Sequence, residues 1–395
     1  MKIEDAAFPL TDAWSSPFVR WQGSLADVSS LDLAVAVTRD AFEQRAVDRN
    51  AVDGFVLGMT IPQISSFYAA PWTATRIGLE GISGPVVAQA CATSVACLVT
   101  AATSGSPREG RSSLVLTTDR TSNGPLMVYP SARAMGGSPK TENWVLDSFS
   151  ADPATGESMA ATADNVAREG RMTREELDSV TLLRWHQYQS ALDNDQAFQR
   201  RYMQSVRIQA GKSRLEVDAD QGVHEYSQAG LAALRPIHSD SIITYGTQTH
   251  PADGCAGVLL SDIATARARA GAAPVVRIVA AASARAGRVQ MPKAATMAAQ
   301  AALEDAGLRA HEMKLVSTHN PFAVNDIWFS KQLDYPLDRM NVKGCSLIYG
   351  HPQGPTGLRG IIELSWALKD LGGGYGLFTG CAAGDTGAAL IICVD

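Results

Sequence analysis

A chain of 395 residues, 46% hydrophobic and 19% charged, is long enough for two or three domains at about 100–200 residues each and for a large buried core. Its 34 Lys+Arg against 40 Asp+Glu give a net charge of −6, and no basic block could track a phosphate backbone, so nucleic acid is excluded as a partner. The opening MKIEDAAFPLTDAW lacks a secretory n- and h-region, and no stretch reaches the roughly 18–20 apolar residues of a membrane span, so the expectation is a soluble, cytoplasmic protein without a membrane partner.

In chain order, Leu31–Arg45 is amphipathic and Ala-rich, Gly54–Gly58 is a short apolar run, and Ser113–Thr118 is β-branched. The alternation predicts βαβ units and a mostly parallel sheet. From Asp119 to Asp240 the character changes to Pro, Gly and Ser, followed by two charged helices. Met172–Ala191 contains Thr173 as N-cap with Glu176 three residues on, the spacing of a capping box. This segment reads as an insertion over the core. The alternation returns after Asp253, with a helix Ala294–Ala306 stopped by Gly307, a strand Lys314–Thr318, a helix Leu358–Leu371 and a strand Ala388–Val394. Two such halves suggest a duplicated core, and apolar strands covered on both faces suggest layered α/β/α architecture.

Six cysteines (Cys91, Cys97, Cys255, Cys345, Cys381, Cys393) are too few and scattered for a disulfide framework, and no CxxC or Cys/His cluster points to zinc. Four places place small polar groups in Gly/Ala-rich contexts at predicted strand ends, where a ligand can approach the backbone. In QACATSVAC, Cys91 follows an extended run and precedes a helix, whose positive end should lower the thiol pKa; a buried structural cysteine is an equal alternative. Cys97, farther along the same helix, reads as packing. GHPQGPTG sets His351 exposed in a turn-rich loop, either as a structural side chain or as a base. GCAAGDTG presents Cys381 in a loop before the last strand, and THNPF ends a strand in His319 and Asn320; ordinary turns are the alternative at both. A Cys nucleophile, a His base, a second Cys that moves a proton and a further His or Asn that holds an oxyanion are together the parts of acyl transfer through a thioester.

With those residues in view, the sequence resembles the thiolase family over nearly its whole length. SPFVRWQGSLADV, SMAATADNVAREGRMTREELDSVTLLRWHQ, TQTHPADGCAGVLLSD, NVKGCSLIYGHPQGPTGLR and TGCAAGDTGAALI each resemble a family segment, in the same order. The resemblance implies a duplicated five-layer α/β/α/β/α core with an inserted loop domain: residues 1–118 and 241–270 as the N-terminal half, 119–240 covering the coenzyme A site, and 271–395 as the C-terminal half. It implies a 3-oxoacyl-CoA thiolase with Cys91 as acylated nucleophile, His351 as its base and Cys381 as acid/base at the acetyl α-carbon. The amides of Cys91 and Ala383 would form one oxyanion hole, and His351 with a water the other. Coenzyme A is a substrate, no cofactor is permanently bound, no metal is needed, and a homodimer or homotetramer is implied.

Where many thiolases have NEAF this chain has His319-Asn320-Pro321-Phe322, so His319 replaces the asparagine that fixes the oxyanion-hole water; other thiolase subgroups place a histidine there too. Along the coenzyme A path, the resemblance points to Thr249 in place of a serine, Ser158 beside Met159, His224 at the basic position near the phosphates, and Phe322. Ala383 stands in place of a glycine. A ketosynthase-like decarboxylating enzyme built on Cys91, His319 and His351, and a thiolase subunit working with a small OB-fold partner, are the alternatives.

Overall fold

The computed structural model describes residues 1–104, 110–122, 124–131, 133, 136–210 and 213–395. Two mixed sheets form the core. In the first, the strands run in the order Ala13–Ser15, Ala252–Leu260, Ser112–Arg120, Val52–Gly58 and Val86–Val87, with Val19–Arg20 also pairing with Ala252–Leu260. In the second the order is Ala7–Pro9, Val275–Arg285, Thr386–Val394, Gly374–Ala382 and Leu315–His319.

A four-strand unit repeats in both sheets with the same pairing sense: antiparallel, antiparallel, parallel. The duplication suggested by the sequence is therefore real at the level of topology. The expectation of a mostly parallel sheet is not met. Thr386–Val394 and Gly374–Ala382 are joined by a turn of three residues, too short for the crossover that parallel neighbours require.

Between the sheets lie two helices, Thr93–Thr103 and Pro355–Asp370, packed against each other and against strands of both sheets. Residues 355 to 368 of the second are all buried, as expected of a helix covered on every side. Its two buried charged side chains, Arg359 and Glu363, are paired. The Arg359 guanidinium makes two bonds to Asp220 at 2.6 and 2.8 Å, one to Glu363 at 3.0 Å, and lies 3.8 Å over the Tyr349 ring. Glu363 accepts from Tyr202 at 2.6 Å and Tyr349 at 2.9 Å.

Outer helices complete five layers. Ser30–Gln44 and Ala69–Ile77 cover the first sheet, and Met291–Ala306 packs on the second with Ala323–Leu333 beside it. Gly307 ends Met291–Ala306 in the left-handed conformation, as its position after the last apolar residue suggests.

The chain leaves the first sheet after Arg120 and returns at Ala252. Between them lie the hairpins Leu126–Tyr129/Lys140–Asn143 and Val206–Ala210/Ser213–Val217, and helices including Met159–Glu169 and Arg174–Ala191. The Thr173/Glu176 capping box is formed. These two helices pack against the outer helices of the second sheet, and Met172, Leu177 and Val180 share a core with Phe322, Val324 and Ile327. Among the described residues no helix is long and apolar enough to cross a membrane.

Candidate active site

Both central helices begin at one cavity of about 540 Å³. Cys91 sits in the tight turn that enters Thr93–Thr103. The Thr93 hydroxyl donates to the Ala90 carbonyl at 2.7 Å and accepts the Gln89 amide at 2.8 Å, while Ala90 takes a positive φ of 44°. This elbow turns the half-buried Cys91 side chain into the cavity wall.

His351 arrives from the other half of the chain, just before Pro355–Asp370. Its Nε2 lies 3.0 Å from Cys91 Sγ, and its Nδ1 lies 2.6 Å from the Thr356 hydroxyl. The thiol also reaches Gln353 Oε1 at 3.2 Å. With Nδ1–H donated to Thr356, the bare Nε2 faces the thiol proton, the tautomer a general base requires.

Asp119, at the end of Ser112–Arg120, holds this loop in register. Its carboxylate accepts the Gly354 amide at 2.8 Å, the Thr60 amide at 2.8 Å, the Ile61 amide at 3.0 Å and the Thr60 hydroxyl at 2.9 Å. Gly354 is glycine because a Cβ there would come within 2.8 Å of Asp119 Oδ2. Burial nonetheless pushes the Asp119 carboxyl up to about 7 against these four donors.

His319 and Cys381 lie beneath the cavity wall. The parallel register pairs His319 with Gly380, and a Cβ on Gly380 would meet the His319 Cβ at 2.8 Å, so only glycine lets the two strand ends close up. The His319 ring stacks on His351 at 4.0 Å between centroids, and Asn325 Nδ2 donates to Cys381 Sγ at 3.1 Å. Asn320 turns away: its amide donates to Asp326 at 2.8 Å, and Asp326 is paired with the fully buried Arg184 at 2.8 Å.

Burial favours the uncharged forms of the two thiols and the two imidazoles. Burial pushes the Cys91 thiol up to about 12, outweighing the Ala383 amide that bonds the sulfur. The expected lowering of its pKa by the helix end is thus overturned, because desolvation of the thiolate is the larger effect. Burial likewise takes His351 down to about 3, and burial with the nearby His351 holds His319 well below the ordinary range. The Cys381 thiol is raised by burial and by the proximity of Cys91.

One ligand atom each from Cys91, His319 and His351 lie within 4.8 Å of one another. The imidazole planes are only 23° apart, so their in-plane lone pairs run side by side rather than converging. The trio is better shaped to hydrogen-bond one oxygen than to chelate a metal.

A family model described as "Thiolase, N-terminal domain" matches residues 10–263, and one described as "Thiolase, C-terminal domain" matches residues 272–394. The chain belongs to the thiolase family. It is 27% identical to an acetyl-CoA acetyltransferase of Escherichia coli over 379 residues, covering 94% of this chain and 95% of that protein. It is 25% identical to the human mitochondrial 3-ketoacyl-CoA thiolase over 385 residues, covering 95% and 96%. In three dimensions it superposes on a Bacillus anthracis acetyl-CoA acetyltransferase with a TM-score of 0.89 at 23% identity over 100% of both chains. The human mitochondrial 3-ketoacyl-CoA thiolase in complex with CoA gives 0.88 at 23% identity, covering 100% of this chain and 99% of that one.

Of the positions singled out from sequence, this thiolase gathers Cys91, His351, Ala383, Ser158, Met159, Thr249 and Phe322 around the cavity. Ser158 also caps Met159–Glu169 by accepting the Ala161 amide at 3.2 Å, and the Thr249 hydroxyl donates to the Ser346 carbonyl at 2.5 Å. His224 is exposed, outside the lining, with its ring 6.2 Å from His250.

Two further sequence expectations need correction. His351 is not exposed: it is 4% accessible, because the loop that carries it is folded under the strand end at Ala252. Cys381 lies inside the strand Gly374–Ala382 and is fully buried; the loop is only residues 383 to 385. Sequence reasoning missed Asp119, Gln353, Thr356, Asn325 and Ser346. Gln353 and Thr356 stand within the His351 motif itself, and Asp119 is the lone carboxylate closing an apolar strand, so a signal existed for those three. Nothing local marks Ser346 or Asn325.

Proposed function

We propose that this chain is an acyltransferase that cleaves a 3-oxoacyl-CoA with coenzyme A, or runs the reverse Claisen condensation, through an acyl-enzyme on Cys91. The observation that carries the reading is the 3.0 Å contact between Cys91 Sγ and His351 Nε2 in the cavity wall. A neutral thiol beside a neutral imidazole is primed to transfer its proton as the sulfur attacks, so no buried ion pair has to be kept at rest.

In the degradative direction Cys91 Sγ adds to the 3-oxo carbonyl while its proton passes to His351 Nε2. The tetrahedral alkoxide collapses, the C2–C3 bond breaks, and its electron pair enters the enolate of acetyl-CoA. The Cys381 thiol protonates that carbon, with the Asn325 amide supporting the thiolate left behind. Coenzyme A then attacks the Cys91 thioester, passing its proton to Cys381, and the leaving Cys91 sulfur recovers a proton from His351. The amides of Cys91 and Ala383 are proposed as donors to one oxyanion, and His351 with a water as donors to the other, each oxyanion donor being worth about 2.7–4 kcal/mol.

Coenzyme A enters as a substrate and no permanently bound cofactor is required. The segment 119–240 is proposed as the cover of the coenzyme A path, supported by Trp144, Phe149, Ser158 and Met159 in the cavity wall. Thr249 and Phe322 are proposed to flank the pantetheine arm, and His224 to meet the phosphate end. A cytoplasmic homodimer or homotetramer is proposed, supported by the exposed apolar side chains of Ile64, Phe67, Tyr68 and Trp72.

The stacked His319/His351 pair favours a second reading, a decarboxylating condensation on a Cys-His-His set. Cys381, supported by Asn325 beside the nucleophile, favours thiolysis, since decarboxylation needs no such acid. Incubation of the purified chain with coenzyme A and a panel of 3-oxoacyl-CoA esters, followed by absorbance and intact mass, tests the proposal. Cleavage with an acyl adduct on Cys91 is expected. Release of carbon dioxide from a malonyl thioester instead selects the second reading, and activity only on adding a small OB-fold protein assigns the chain as a partner-dependent subunit.

A further inference from the structure

The inference concerns Gln353, which the mechanism above leaves unused, and its catalytic consequence rests on the thiolase reading. Gln353 is 7% exposed, lines the cavity and takes a positive φ of 62°, uncommon for a residue with a Cβ. Its backbone is pinned on both sides. The Gln353 carbonyl accepts the Thr356 amide at 3.3 Å, the Gly354 amide donates to Asp119 at 2.8 Å, and the Gly354 carbonyl accepts the Ser94 hydroxyl at 2.5 Å. A fixed loop therefore places the side chain, and what it meets is the nucleophile: Oε1 lies 3.2 Å from Cys91 Sγ, against 3.0 Å for His351 Nε2. The same amide lies beside the His351 ring, where its oxygen favours the charged imidazole against the desolvation that opposes it.

Three groups thus surround one proton. In the resting enzyme it sits on sulfur, a weak donor, so its bond to Oε1 contributes little. When Sγ bonds to the substrate carbonyl carbon, the S–H bond breaks, the proton moves to His351 Nε2, and the carbonyl electron pair becomes the alkoxide. His351 is then a cation with both ring nitrogens as donors, while a sulfur bonded to carbon is a poor acceptor. Nδ1–H keeps the Thr356 hydroxyl. Nε2–H needs an acceptor held by the protein, and Oε1 is in place to share it with the substrate oxygen. A ring with two N–H groups is met only by the oxygen end of an amide, whichever way that amide is turned at rest.

We infer that Gln353 is a further catalytic residue, whose side-chain oxygen accepts from His351 once the Cys91 proton has moved there and holds that proton until the sulfur recovers it. A hydrogen bond to a charged donor outweighs one from a thiol, so the contact strengthens as the proton transfers. It favours the transition state over the resting enzyme for that reason.

The test is alkylation of Cys91 by iodoacetamide in the full chain at pH 7, followed by peptide mass at Cys91, beside steady-state thiolysis of acetoacetyl-CoA. Alkylation forms an S–C bond, expels iodide and passes the thiol proton to His351, so it needs the same proton acceptor without any coenzyme A chemistry. In Gln353→Leu the alkylation rate constant and kcat each fall about 10- to 100-fold, the worth of a hydrogen bond to a charged group, with KM for coenzyme A within about two-fold. Gln353→Glu, which keeps an acceptor oxygen and loses the amide N–H, recovers both to within about five-fold. Unchanged rates in Gln353→Leu overturn the inference. So does a Gln353→Glu variant as slow as Gln353→Leu, which would assign the effect to the amide nitrogen. If Gln353→Leu does not fold, Gln353→Met, close to glutamine in length, takes its place with the same expected falls. If no 3-oxoacyl-CoA is cleaved at all, the thiolase reading falls, while alkylation still decides whether Gln353 acts on the Cys91–His351 pair.

Discussion

The two walls of the cavity are built on different principles. The wall formed by the second half of the chain is a connected polar lattice: His351 to Thr356, His319 to Ser346, Asn320 to Asp326, and Asp326 to Arg184. The opposite wall, from the segment between Arg120 and Ala252, offers Trp144, Phe149 and Met159, and Trp144 is pinned by one hydrogen bond, Nε1 to the Thr60 carbonyl at 3.0 Å. Directional bonds fix atoms to within tenths of an ångström, which proton transfer requires. Apolar contact tolerates changes of shape, which would suit the proposed acyl-CoA substrate.

If that division holds, the largest effect comes from the polar side. Cys91→Ala removes the proposed nucleophile and should lower kcat by at least about 10⁴-fold; intact mass after incubation with substrate should show no acyl adduct, and retained turnover would break the assignment. Arg359→Ala removes the cation from a fully buried pair with Asp220 and should cost about 3–5 kcal/mol of unfolding free energy. Urea titration measures it, and a loss below about 1 kcal/mol would mean that this ion pair is not what holds the central helix.

The pH dependence sharpens the comparison further. His351 titrates near 3 in the folded chain against about 6.5 unfolded, and His319 is lowered in the same direction. At these two sites the unfolded state therefore binds more protons below pH 6.5, so their contribution to stability is full above that pH and falls as pH drops toward 3, by up to about 1.4 kcal/mol per pH unit for each histidine, against the opposite slope of Asp119, whose carboxyl burial raises to about 7. His351→Asn should flatten this slope in denaturation measured from pH 7 to pH 4; an unchanged slope would count against a buried neutral imidazole. The smallest effect is expected on the apolar side. Trp144→Ala should change kcat on acetoacetyl-CoA by less than about five-fold while improving kcat/KM for bulkier acyl groups, since one side chain in an apolar pocket contributes about 1–3 kcal/mol. A collapse of activity toward all substrates would place Trp144 with the polar wall.

Much of this protein is legible one residue at a time. The capping box at Thr173, the stop at Gly307, the strands around Leu114 and Leu390 and the helix after Pro355 follow from local patterning, since cap chemistry and apolar periodicity act over a few residues. The identities of Cys91, His351, Cys381 and His319 were equally visible as short polar groups in Gly/Ala-rich surroundings. Their environments were not. That His351 and Cys381 are buried, that desolvation outweighs the helix end at Cys91, and that Ser346 and Asn325 face the two auxiliary groups depend on segments more than twenty residues away in sequence. Local sequence determines which conformations and which chemical groups are available; burial and hydrogen-bond partnership belong to pairs of distant segments, so the protonation states that make the site work were decided only when the two halves closed on each other.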